Sequence, residues 1–180
     1  MNMKRILYFL IVTMAFVGCK SKQSLINGNE QLVTIPCASI VSDQFATRAL
    51  GTANSTNLQM AKDKAIAVAR RELVSSVQTA VQRVIDTYAA SYDEDTSSRF
   101  ISMTKDVSRL TSNQMLVGST IACEKVTQSV DKKTGNILYH AYVVVEVDNT
   151  QLQSSAQQQI LQALPETDVL RNIFRESMGK

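Results

Sequence analysis

Between Thr56 and Tyr88 the apolar residues return at steps of three and four: Ala61, Ala65, Val68, Ala69, Leu73, Val77, Ala80, Val81, Val84, Ile85 and Tyr88. That spacing places them on one side of an α-helix. Lys62, Asp63, Lys64, Arg70, Arg71, Gln78, Gln82 and Arg83 fall mostly on the other side. At about 1.5 Å per residue, a helix of roughly thirty residues is ~45 Å long. No other stretch offers comparable apolar area, so the rest of the chain is expected to fold against it. Thr56 followed by Gln59 matches a capping box, which would satisfy two free amide donors at the helix start.

The remaining pattern is shorter in period. Leu32 to Ile35 is a brief β-compatible run stopped by Pro36, and Phe45 to Ala53 reads as the first full strand. Gly51 inside that strand predicts a bulge or the close approach of another backbone. A second helix, about Thr96 to Asn113, carries Phe100, Met103, Val107 and Leu110 on one face. From Leu116 to Ser129 the pattern is β, with Val117, Ile121 and Cys123 in alternation. Residues 131–136 form a hairpin loop in which Gly135 supplies the positive φ. Ile137 to Val147 is the clearest strand, with Tyr139, Ala141, Val143, Val145 and Val147 on one face. The opposite face (Leu138, His140, Tyr142, Val144, Glu146) is more polar and is expected to be half covered.

Thr150 with Gln153 repeats the capping-box pattern and opens a helix reaching Leu164, ended by Pro165. A last helix, Asp168 to Met178, offers Leu170, Ile173, Phe174 and Met178. The order β-α-α-β-β-α-α predicts an α+β fold: a small antiparallel sheet of three or four strands packed against the long amphipathic helix and further helices.

The ends change the picture more than the composition does. Lys4 and Arg5 precede an apolar run from Ile6 to Val17, which is too short for a stable span of a hydrocarbon core about 30 Å thick. Residues 1–18 therefore read as a lipoprotein signal peptide. Phe16-Val17-Gly18-Cys19 resembles a bacterial lipobox, in which the cysteine is acylated and becomes the first mature residue. Residues 19–31 read as the acylated Cys19 and a flexible polar tether, and residues 32–180 as a single α+β domain. The bilayer, reached through acylated Cys19, is the one partner these residues specify. Other partners are expected to be envelope proteins of unknown identity.

Removing residues 1–18 takes away Lys4 and Arg5 and no acid, so seventeen basic residues face sixteen acidic ones. Such a balance gives no electrostatic case for nucleic acid. An exported chain meets oxidising conditions, so Cys37 and Cys123 can form a disulfide or remain as two buried thiols. Two cysteines and His140, the chain's one histidine, do not make a metal-ligand set.

Several of these segments resemble the Lpp-twenty lipoprotein family: Gly51-Thr-Ala, Ala61-Lys-Asp-Lys-Ala65 leading into Ala69-Arg70-Arg71-Glu72-Leu73, and the Gly118-Ser-Thr-Ile121 strand before a Tyr-rich hairpin strand. Pro36-Cys37 and Cys123 are similar to its branch in gut-type Gram-negative bacteria. The resemblance covers about residues 33–180. It implies an α+β domain with a long helix on a small antiparallel sheet, at the outer membrane or in the periplasm, and it carries over no activity, cofactor or catalytic residue. In that bacterial group, surface export is linked to acidic residues soon after the acylated cysteine. Here Lys20-Ser21-Lys22-Gln23 follows Cys19, which implies a lipid-anchored protein of the outer membrane facing the periplasm.

Catalytic chemistry has little support. His140 sits between Tyr139 and Tyr142 on a strand, without a nucleophile elbow or a glycine-rich phosphate loop anywhere in the chain. Arg70-Arg71-Glu72 reads as a solvated helix face, and Asp93-Glu94-Asp95 as a polar loop without calcium-loop spacing. Tyr88, Tyr92 and Phe100 read as core packing. The expected function is a non-enzymatic structural or protein-interaction role for an envelope lipoprotein, with no cofactor and no metal. The alternative is a periplasmic lipoprotein that binds a small ligand between the half-covered sheet face and a helix.

Overall fold

A computed structural model of the chain describes residues 33–178, together with the backbone of residues 25–26 and 30–31. The chain forms two units, Met1–Thr34 and Ile35–Lys180. In the first, β1 (Leu25–Ile26) pairs antiparallel with β2 (Glu30–Gln31), Leu25 lying opposite Gln31. This ladder falls within the stretch expected as a tether. The signal peptide and Cys19 lie outside the described residues.

The second unit runs β3 (Ala46–Ser55), α1 (Leu58–Ala89), α2 (Glu94–Thr104), α3 (Val107–Val117), β4 (Thr120–Val130), β5 (Ile137–Asp148), α4 (Asn149–Ala163) and α5 (Val169–Met178). The buried residues of α1 recur at a strict step of four: Ala61, Ala65, Ala69, Leu73, Val77, Val81, Ile85 and Ala89. With 3.6 residues per turn, each such step advances the stripe by about 40°, so over its length it winds roughly three quarters of the way round the helix. One helix can therefore face the sheet along its first half and other helices along its second.

The sheet is antiparallel in the order β3–β5–β4, which makes the fold α+β. Val143, Val145, Val147 and Ala141 of β5 point to the α1 side and are buried. On β3, Gly51 stands opposite Val143, where α1 crosses. A Cβ there would strike the Ala65 carbonyl oxygen and the Ala69 amide. The close approach expected at Gly51 is thus by the helix; the sheet's bulge lies in β4, between Ile121 and Cys123. The bulge corrects the expected alternation. Ile121 stands opposite Val145 on the helix side, whereas Cys123 stands opposite Val144 on the outer side, and Val117 belongs to α3.

Four local expectations are corrected. The Asn57 side chain caps α1 by accepting from the Met60 amide at 2.9 Å, in place of Thr56, while Gln59 turns to Asp63. Asp148, at the end of β5, caps α4 by accepting from the Gln151 amide at 2.9 Å, in place of Thr150. An ionised carboxylate facing the positive helix end is the stronger cap. Residues 33–35 form no strand. The single helix expected over 96–113 is two, broken at Lys105–Asp106, and the break rotates α3 so that Val107, Thr111, Ser112 and Met115 face inward. Leu110 is consequently exposed.

At the far end of α1, Tyr88 meets Phe174 of α5 with ring centroids 4.6 Å apart, and Phe100 of α2 lies 6.3 Å from Phe174. Phe100 and Phe174 are fully buried, so each contributes about 1.5–3 kcal/mol through removal of apolar surface from water. These rings dock the two short helices on α1.

Candidate functional site

The outer sheet face is half covered, in keeping with its polar pattern, and the covering element is the chain's own segment 35–43. The bulge in β4 turns Cys123 to this face, where it is bonded to Cys37, with the two Cα atoms 6.0 Å apart. Six residues on from Cys37, Asp43 is held by Arg48 of β3, whose Nη1 donates to Asp43 Oδ2 at 2.7 Å and to the Val41 carbonyl at 2.8 Å. Arg48 Nε donates to Glu146 of β5 at 2.6 Å, and the Arg48 amide donates to Ser42 Oγ at 2.8 Å. The Arg48 guanidinium, followed by the Ala46 and Phe45 amides, lowers the Asp43 pKa to about 2. In return Asp43, then Glu146, raises that of Arg48. This is an ion-pair network that fastens a segment to a strand; it activates no group for chemistry.

The uncovered remainder of that face carries His140, whose Nε2 lies 2.9 Å from Ser129 Oγ. A hydrolase would need a carboxylate on the other ring nitrogen and donors for an oxyanion. Among the described residues Ser129 is the histidine's hydrogen-bond partner, and the pair is a cross-strand surface contact. Arg70 and Arg71 are exposed on α1, with Arg71 3.6 Å from its neighbour Glu72. Asp93 is the N-cap of α2, accepting from the Thr96 amide, and that bond lowers its pKa.

On the helix side, α1 and α4 diverge and leave a groove. Its inner part, about 260 Å³, lies over Ala80, Val84, Leu152 and Ala156 and ends at Thr47 and Asn149. Its outer part, about 310 Å³, shares Val84, Gln153 and Ala156 and runs out to Arg83 and Tyr88. The ligand-binding alternative places its site on the outer sheet face, and this groove lies on the opposite side. Residue spacing carries no sign of the groove, because it depends on how two helices distant in sequence splay apart. Arg48 does stand at an outward position of a readable strand, but spacing does not identify its partners.

Among the described residues no cluster of three or more His, Cys, Asp or Glu side chains could hold a metal ion, and no helix is long and apolar enough to cross a membrane. No protein-family model, curated protein or solved structure matches the chain.

Proposed function

We propose that the chain is a lipid-anchored envelope protein of the outer membrane, facing the periplasm, whose α+β domain has a structural or protein-interaction role. The observation that carries this reading is Phe16-Val17-Gly18-Cys19 placed directly after a short apolar run with Lys4 and Arg5 ahead of it. Acyl chains on Cys19 would hold the domain at a bilayer, since each buried methylene contributes about 0.8 kcal/mol and more than one chain makes anchoring stable. The resemblance to the Lpp-twenty family supports the same location. Labelled palmitate is expected in the wild-type chain and absent from Cys19→Ala; equal labelling of the two would sink the reading.

A second reading, binding of a small apolar ligand, is favoured by the groove between α1 and α4. Concave, mainly apolar surfaces with a few polar groups are the usual form of such sites. Replacing Gln153, an exposed residue that lines both parts of the groove, with Trp would fill it. Under this reading the substitution abolishes uptake of apolar ligands extracted from envelopes, and unchanged ligand content would count against it.

A further inference from the structure

The segment 35–43 is held at its two ends by bonds of different chemistry. At one end is the Cys37–Cys123 disulfide to β4; at the other are the contacts of Val41, Ser42 and Asp43 with Arg48 of β3. Because β3 and β4 are the two edges of the sheet, the segment ties edge to edge and passes over β5 between them. Cys37 Sγ lies 3.9 Å from the Tyr142 carbonyl oxygen of β5, which places the crossing. Beneath it Val144, flanked by Leu50 and Cys123 on the outward face, is 0% exposed. Tyr142 and Glu146 on the same face are only half-buried.

Apart from the disulfide and the packing of half-buried Pro36 and Ile40, no backbone hydrogen bond ties the Cys37 end to the sheet among the described residues. The backbone hydrogen bonds of residues 35–40 run within their own turn, from the Ala38 amide to the Ile35 carbonyl and from the Ile40 amide to the Cys37 carbonyl. Cys37 itself has φ 65°, a left-handed conformation that L side chains other than asparagine and aspartate seldom adopt without outside constraint. The bond to Cys123 is the one covalent attachment that fixes the turn to the sheet in that conformation.

We propose that this segment is a redox-set strap over the outer sheet face. In thiol–disulfide exchange with a dithiol reductant, two electrons and two protons pass to the pair. The Cys37–Cys123 bond breaks to two thiols, and the reductant leaves as its own disulfide. The Cys37 turn then leaves β4 and relaxes from its left-handed conformation, uncovering the Leu50–Val144 strip, while residues 41–43 stay at Arg48. Oxidation of the two thiols closes the strap again. The helix-side core is unaffected because it packs on the other face.

The test is hydrogen–deuterium exchange of the full chain in detergent, oxidised and after dithiothreitol, beside the double variant Cys37→Ser/Cys123→Ser. Peptides spanning residues 35–41 are expected to exchange about tenfold faster or more on reduction, and to be fast in the double variant at all times, while α1 and β5 keep their protection. A hydrophobic dye should bind on reduction and be released on reoxidation. Equal strap exchange in the oxidised and reduced chains would overturn the proposal, since other contacts would then hold the strap. So would loss of protection in α1 and β5 together with the strap, because the bond would then be holding the whole fold. Reduction of the folded wild type gives the same readout if the double variant fails to fold.

Discussion

Gly51 of β3 lies directly under Ala69 of α1: a Cβ on the glycine would stand 2.8 Å from the Ala69 Cβ and inside the contact distance of the Ala65 carbonyl oxygen and the Ala69 amide. The atoms in the way are mostly backbone, so no rotamer change can relieve the clash. Helix and sheet would have to separate along the Ala61–Ala65–Ala69 stripe, undoing their close packing there.

Gly51→Ala is therefore expected to destabilise the domain by about 3 kcal/mol, at the upper end of the usual overpacking cost. Gly118→Ala is the control, because its nearest neighbour would be 3.8 Å from the new Cβ. Surface changes of that kind stay within about 0.5 kcal/mol. Urea midpoints of the two variants decide the matter. A Gly51→Ala midpoint equal to that of Gly118→Ala would show that α1 does not lie where the clash requires.

β4 is a sheet edge of eleven residues, and such an edge offers its free amides and carbonyls to any extended chain. On its helix-side face Ile121, Val126 and Val130 are opposite Val145, Ala141 and Ile137. Glu124 interrupts that apolar row and is paired with Lys62 of α1 at 2.5 Å. The bulge at Ala122 breaks the row a second time. Glu124→Val should leave folding nearly intact, since a partly exposed ion pair contributes roughly 1 kcal/mol or less. It should raise the mass seen by light scattering above that of wild type at equal concentration. An unchanged mass would mean that the bulge, together with Gln128 opposite Tyr139 in the same row, guards the edge.

The elements legible in the sequence are those whose period is long or doubly marked. The stripe of α1 repeats over eight positions. β5 alternates between buried inward and less buried outward positions from Ala141 to the Asp148 cap, broken only at outward Val144, which is buried. The features that escape the sequence depend on contacts between distant residues or on positions without a local marker. Asn57 and Thr56 are both good caps, and only the path of the chain chooses Asn57. Lys105–Asp106 breaks a helix with neither glycine nor proline, and Ala122 forms a bulge in a run that reads as plain alternation. Cys37 and Cys123 are 86 residues apart, so spacing leaves both a bridge and two free thiols open, and only the folded chain decides between them. The reverse holds for Cys19, which is readable in the sequence and lies outside the described residues.

The inward rotation of α3 buries Thr111, whose Oγ1 has no hydrogen-bond partner among the described residues. Its neighbours are satisfied: Gln78 donates to Ser112 Oγ at 3.3 Å and Ser155 donates to Gln114 Oε1 at 2.8 Å. A buried hydroxyl without a partner costs about 1–3 kcal/mol. Thr111→Val keeps the shape and removes that cost, so a gain of about 1 kcal/mol in urea denaturation is expected. A loss of stability would indicate that the hydroxyl is bonded in solution.

Acid should loosen the domain through carboxylates held by hydrogen-bond donors. The Arg48 guanidinium brings Asp43 to about 2. The Leu170 amide, with Arg99, lowers Asp168, and the Thr134 amide lowers Asp131. In the unfolded chain these groups return to about 3.9. Each folded value is the lower one, so the unfolded chain binds more protons as the pH falls. Their stabilisation is complete above about pH 5 and is lost as the pH drops through 4 toward the folded values, the loss from Asp43 extending to about pH 2. The urea midpoint should be flat from neutral pH to about pH 5 and then decline. Asp43→Asn should lower the midpoint at neutral pH and make the decline shallower, because the substituted side chain no longer titrates. A variant that declines as steeply as wild type would remove Asp43 from the acid response and leave it to Asp131, Asp168 and the Asp93 cap.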